Sequence, residues 1–185
     1  GEEIIRDLVN SNSNFKAISL RYFNPIGAHH SAMIGELPIG VPQNLVPYIT
    51  QTAVGIREEL TVFGNDYSTS DGSCLRDYIH VVDLAKAHIK SLDKLMTISE
   101  NNYYDTFNIG TGKGTSVLEL INCFEAVTGN KLNFKIGERR KGDVAECFAD
   151  VSKANKFLNW KSELSVEDSL LSSWNWEKNI NNEKL

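Results

Sequence analysis

The sequence is short of several things, and each shortage closes a route. It has three cysteines, Cys74, Cys123 and Cys147, widely spaced and odd in number. No C-x-x-C pair occurs, which argues against a disulfide framework and against a zinc site. Free thiols fit a reducing cytoplasmic compartment. No apolar run approaches the length of a membrane span, and no secretory leader opens the chain. Positive charge is in deficit: 19 Lys and Arg stand against 24 Asp and Glu, a formal net charge of -5. That balance speaks against a general binder of nucleic acid or of a membrane surface. No G-x-S-x-G element supports a Ser/His/Asp hydrolase. His29 and His30 lie in a Gly-Pro loop with no further ligand at helical spacing, so no metal site is expected. Internal repeats and low-complexity tracts are absent too.

What is present is 185 residues, 41% of them hydrophobic, enough for one domain or part of a larger one. The chain opens inside a helical pattern, Ile4, Ile5, Leu8 and Val9, with no capping residue ahead and no initiator Met, and so reads as a chain cut within a helix. "NSNSN" ends that helix, and "FKAISLRYF" reads as a buried strand followed by a Pro-Gly loop. A helix is expected over "QNLVPYITQTAVG", a strand over "ELTVFG", and a turn-rich loop over "NDYSTSDGSC". "LRDYIHV" reads as one short strand leading into the amphipathic helix "VDLAKAHIKSLDKL". "NNYYDTFNIG" brings another strand. Ser116 and Glu119 then have the spacing of a capping box, with Gly129 at the helix stop. "KLNFKIG" is a strand; short helices are expected from Ser152 to Leu158 and from Ser165 onward, with a frayed "NNEKL" tail. Alternation of strands and helices gives an α/β protein with a largely parallel sheet.

Three stretches carry candidate chemistry. "NIGTGKGTS" places Gly110, Gly112 and Gly114 between a strand and a helix, but its spacing is G-x-G-x-G rather than a dinucleotide fingerprint. A helix N-terminus there could still face a polar ligand. Period two along "LRDYIHVVD" puts Arg76, Tyr78 and His80 on one side of a strand, either as a half-buried strand with polar ends or as an arginine aimed at an anion. "GERRKGDVAECFAD" gathers Arg139, Arg140, Lys141 and Asp143 just ahead of Cys147. A guanidinium grips phosphate with a two-pronged fork, and an aspartate can hold the guanidinium or accept from sugar hydroxyls. A solvated charge run is the competing account.

Taken together, "LRYFNPIGAHHSAMIGELPIGVPQNLVPYI", "LTVFGNDYSTSDGSCLRDYIHVVDLAKAH", "FNIGTGKGTSVLELI" and "ERRKGDVAECFAD" resemble the UDP-glucose 4-epimerases, which are extended short-chain dehydrogenase/reductases. The resemblance runs in order from about Gly1 to Trp176. It implies a Rossmann-type α/β fold of which this chain is the C-terminal half. Its last Rossmann elements would lie at about 1–28 and 80–111, interleaved with a UDP-sugar-binding domain at about 29–79 and 112–185. The NAD glycine motif and the Tyr-x-x-x-Lys pair belong to the other half in that family, so no catalytic residue is expected here. The implied reaction is oxidation at sugar C4 by NAD, rotation of the keto sugar and return of the hydride. Tyr22, Phe23 and Pro25 are implied to lie at the nicotinamide. Asn24, Asn44, Leu45, Thr61, Phe63, Arg76, Tyr78, Val117, Arg140, Asp143 and Cys147 are implied to line the UDP-sugar. Arg76 and Arg140 would bracket the diphosphate, and Asp143 would take ribose hydroxyls. In the family pattern the Cys147 position faces the sugar 2-substituent. A bulky tyrosine there excludes N-acetylated sugars, so a small Cys147 implies that UDP-N-acetylglucosamine is accepted beside UDP-glucose and UDP-galactose. A cytoplasmic homodimer is the implied state of the intact enzyme, without nucleic-acid or membrane partners. Alternatives are a non-catalytic nucleotide-sugar binding module, or part of a related NAD-dependent dehydratase or decarboxylase.

Overall fold

The computed structural model describes residues 1–11 and 14–182. Parts of the expected stop at "NSNSN" and of the "NNEKL" tail lie outside the described residues. In chain order the elements are α1 (Glu2–Asn10), β1 (Lys16–Tyr22), β2 (Asn24–Ile26), α2 (Leu45–Ala53), β3 (Leu60–Phe63), β4 (Leu75–Arg76) and β5 (Tyr78–His80). There follow α3 (Val81–Thr97), β6 (Tyr103–Ile109), β7 (Thr115–Ser116), α4 (Val117–Thr128), β8 (Phe134–Gly137), β9 (Glu146–Cys147), α5 (Ser152–Phe157) and α6 (Val166–Asn182).

The helix starts follow from capping chemistry. Ser116 Oγ accepts from Glu119 N at 3.0 Å while Glu119 returns a carboxylate to Ser116 N at 2.8 Å, and Gly129 closes α4 with φ +72°. Ser165 and Asp168 open α6 in the same reciprocal way, at 3.1 and 2.9 Å. Each pair satisfies donors that a helix cannot use internally.

Among the described residues, strand pairing is parallel for β1–β6, β2–β5, β3–β8 and β4–β9, and antiparallel for β4–β7. The pairs form four small sheets rather than the one sheet expected. The run 75–81 is also not one strand. It breaks at Asp77, which is fully buried, into β4 beside β9 and β5 beside β2. Period two therefore does not carry through: Arg76 belongs to one sheet, and Tyr78 and His80 to another. The Pro-Gly loop after β1 likewise contains a strand, β2, held by β5.

Two cores meet at β5. Tyr78 packs with Ile26, Ile49, Leu60, Val62, Leu120 and Phe124, under α2, α4 and α6. Its neighbour Ile79 faces the other way, among Phe107, Ile109, Leu84 and Trp160. This is the alternation of a strand covered on both faces. Ala154, Leu158 and Trp160 join the second core, so that part of the stretch 152–160 packs on the β1–β6 side. Among the described residues no helix is long and apolar enough to cross a membrane.

Candidate functional site

The site is built on the strand ends around Asp77. A buried carboxylate must be paired or hydrogen-bonded. Asp77 accepts from Thr111 N at 2.8 Å, Thr111 Oγ1 at 2.7 Å, Gly112 N at 3.0 Å and Ala149 N at 3.1 Å. Its own backbone N donates to Cys147 O at 3.2 Å, and its carbonyl accepts from Asn24 N at 2.9 Å. One residue thus ties the glycine loop and Ala149 through its side chain, and β9 and β2 through its main chain. A Cβ at Gly110 would stand 2.4 Å from the Asp77 carboxylate, and Gly112 has φ +75°. Gly110 and Gly112 of "NIGTGKGTS" are therefore a docking pad for Asp77, whereas Gly114 lies against Leu75 and Phe148. The first N–H groups of α4 are taken as well, by Cys74 O, Ser73 Oγ and Ser116 Oγ. The open helix N-terminus that the sequence suggested there does not exist.

Beside this hub stands a cationic corner. Arg140 grips Asp143 with two prongs, Nε to Oδ2 at 3.0 Å and Nη2 to Oδ1 at 3.1 Å. That ion pair holds the Arg140 pKa above its ordinary value. Arg76 reaches the same carboxylate at 3.5 Å while its Nη1 donates to Leu75 O at 2.7 Å and Val144 O at 2.9 Å. Two guanidiniums thus share one carboxylate, leaving a surplus positive charge at this corner. Arg76 and Asp143 are mostly shielded, whereas Arg140 is 61% exposed. The Arg140 guanidinium also lies 5.6 Å from the centre of the Phe63 ring, itself 44% exposed at the end of β3. Cys147 is exposed and stands opposite Arg76 in the β4–β9 register. An anion with a flat apolar neighbour and hydroxyl groups matches this set: cations for phosphate, a ring for a base, a carboxylate for hydroxyls.

The other expected residues are placed unevenly. Tyr22, 53% exposed, ends β1, and Phe23, Asn24 and Pro25 lead on from it into β2, at the carboxyl end of the parallel β1–β6 pair. In open α/β sheets that rim is where ligands bind. Asn44 caps α2 by position only, since its side chain donates instead to Glu36 at 2.7 Å, and Leu45 packs against the first core. Thr61 is half-buried on β3, and Val117 is half-buried with its N–H bound to Cys74 O. Tyr78 departs from the expectation of a ligand contact. It is 5% exposed and sits in the first core, where burial raises the pKa of its phenol. His80 is buried too: its Nδ1 accepts from Val82 N at 3.0 Å, which caps α3, and its Nε2 meets Ser172 Oγ at 3.2 Å. Both are framework residues. Asp77, by contrast, was passed over in the sequence, although an acid amid an apolar strand pattern is a signal of an internal hydrogen-bond hub.

Fold and site together define an α/β protein with parallel strands and a cationic corner at the strand ends. The family model described as GDP-mannose 4,6 dehydratase matches residues 1–172, and the chain belongs to that family. Among its relatives, UDP-glucose 4-epimerase of Drosophila melanogaster is 49% identical over 176 residues, covering 95% of this chain and 50% of that protein. The crystal structure of UDP-glucose-4-epimerase from Stenotrophomonas maltophila, with bound NAD and formylated UDP-arabinopyranose, superposes with a TM-score of 0.93 at 46% identity, over 98% of this chain and 53% of that one. That of the Bifidobacterium longum enzyme in complex with NAD+ and UDP gives 0.90 at 46% identity, over 98% and 53%. The chain spans about half the length of the curated relatives it matches.

Proposed function

We propose that this chain holds the nucleotide end of the substrate in a UDP-glucose 4-epimerase. One observation carries the reading: Arg76 and Arg140 converge on Asp143 beside the exposed Phe63 ring. On ligand entry the two guanidiniums bracket the diphosphate of UDP-glucose or UDP-galactose, and Asp143 accepts from ribose hydroxyls. Phe63 and Thr61 border the uracil. Asn24, Asn44, Leu45 and Val117 line the remaining wall. Such a grip is remote from the reacting carbon, which lets the sugar turn while the nucleotide stays fixed.

The residues present also fit the nicotinamide end of NAD. Tyr22, Phe23 and Pro25 offer flat apolar surface at the rim of the parallel strands, with Tyr22 exposed. When bound, NAD supplies the acceptance and return of a hydride. No Tyr-x-x-x-Lys pair and no G-x-x-G-x-x-G loop occurs in these 185 residues. The chain by itself is therefore read as a binder without epimerase turnover, and Cys147 as the residue that leaves room for a sugar 2-substituent.

Calorimetry of UDP with the full-length protein tests the reading. Arg140→Ala and Arg76→Ala each remove a charge-assisted contact to phosphate and should weaken UDP binding by about 2–4 kcal/mol. Unchanged affinity in both variants refutes it.

A further inference from the structure

Three cations stand in a row at 139–141, yet the anion-binding corner uses only Arg140. Arg139 is committed elsewhere. Its Nε donates to Asp66 Oδ1 at 2.6 Å, and its Nη2 to Asp66 O at 2.5 Å. The guanidinium also lies 4.2 Å from the centre of the Tyr67 ring. Tyr67 is 6% exposed, and the neighbouring Cys74 raises the pKa of its phenol. Its ring presents a face to the guanidinium, and such a face attracts a cation. The fit is close: at Gly64, with φ +82°, a Cβ would come within 2.7 Å of the Tyr67 ring and 2.9 Å of Arg139 Cγ. Gly64 N donates to Gly137 O at 2.9 Å, so the clamp closes where β3 and β8 run out together.

We propose that Arg139 is a positioning residue, which with Asp66 and Tyr67 fastens the 138–144 loop to the end of β3 and so aims Arg140 at a nucleoside diphosphate. Arg139 Nε and Nη2 are held by Asp66, and one flat face lies over the Tyr67 ring. The side of the guanidinium that faces Asp66 is therefore committed to the loop and not to an anion. Arg140, the next residue, lies instead over Phe63, the last residue of β3. The two consecutive arginines grip the two flanks of one strand end. Fixing the first restricts where the second can point, and pre-set geometry is what a bidentate phosphate contact needs. This inference rests on the nucleotide-binding reading above.

The test is a double-mutant cycle on the full-length protein, with UDP affinity by calorimetry and melting temperature recorded for each variant. Arg139→Ala should weaken UDP about tenfold when Arg140 is present, and less than about twofold in the Arg140→Ala background, since its effect passes through Arg140. Asp66→Ala, an exposed substitution that removes the acceptor of Arg139 Nε and the countercharge while leaving the arginine in place, should reproduce part of the loss. Affinity within about twofold of wild type for Arg139→Ala and Asp66→Ala overturns the proposal, even if the melting temperature falls. An undiminished loss in the Arg140→Ala background also overturns it, because it marks Arg139 as a direct contact. Wild-type affinity in both Arg140→Ala and Arg76→Ala overturns the nucleotide reading itself, whereas wild-type affinity in Arg140→Ala alone overturns only this proposal, which separates the two failures.

Discussion

At the scale of single residues, neighbours in sequence hold unlike jobs here. Arg76, Asp77 and Tyr78 are consecutive, yet the first faces the anion corner, the second ties three segments together and the third is core. Cys147 is set by the same hub, because Asp77 N donates to its carbonyl. Its thiol is exposed opposite Arg76, and its pairing in β9 fixes its backbone. A tyrosine at this position would project a ring into the space beside the corner. Overfilling a pocket costs about 1–3 kcal/mol. Cys147→Tyr in the full-length protein is therefore expected to lower kcat/KM for UDP-N-acetylglucosamine by tenfold or more, at about 1.4 kcal/mol per tenfold, while sparing UDP-glucose. Steady-state kinetics on both sugars checks this. Equal loss on both would mean that Cys147 does not sort substrates by their 2-substituent.

At the scale of elements, the joint between β5 and α3 depends on a neutral histidine. His80 Nδ1 must be unprotonated to accept from Val82 N, so Nε2 carries the hydrogen and faces Ser172 Oγ. Burial lowers the His80 pKa, against an opposing pull from Asp83 and Asp168. The unfolded chain then binds the proton more readily than the folded one. The contribution of His80 to stability is thus in place above the unfolded value near pH 6.5 and is lost as pH falls through the lower folded value. His80→Asn keeps a capping acceptor but does not titrate. Its melting temperature should fall less than that of the wild type between about pH 7.5 and 5. Parallel curves would remove His80 from the account of acid sensitivity. The helices around this joint were readable from sequence because caps are local: Ser116 with Glu119, Gly129, and Ser165 with Asp168 announce themselves at fixed spacing. β2 and β7 were not, because strands of two or three residues exist only through their partners. "LRDYIHV" misled for a related reason. Its apolar and aromatic residues suit a strand throughout, and only the destination of the Asp77 carboxylate breaks it. The anion corner was half legible: Arg140 and Asp143 are close in sequence, whereas the union with Arg76 depends on β4 lying beside β9. The Arg139 clamp was hidden, since a charge run does not say which cation is already paired.

At the scale of the whole molecule, burial is lopsided. Parallel strands are normally covered on both faces. β5 meets that standard, with all three residues buried, but β1 has none: five residues are half-buried and two are exposed. The helices near it carry bare apolar groups, Ile4 on α1 and Ile89, Leu92 and Met96 on α3. Apolar surface gathered beside an open parallel strand favours association, through both area removed from water and the unpaired strand edge. The first core, by contrast, is closed over by α2, α4 and α6. The expected behaviour of the 185-residue chain on its own is therefore concentration-dependent self-association, with binding of an apolar dye, while the side built on the first core stays protected. Sedimentation velocity over a concentration series, with hydrogen exchange on the same samples, separates the two halves of that statement. Slow exchange in α4 and β3 with fast exchange in β1 is the expected pattern. A monomer at all concentrations, protected equally in β1 and in α4, would mean that the β1 side is stable without further cover.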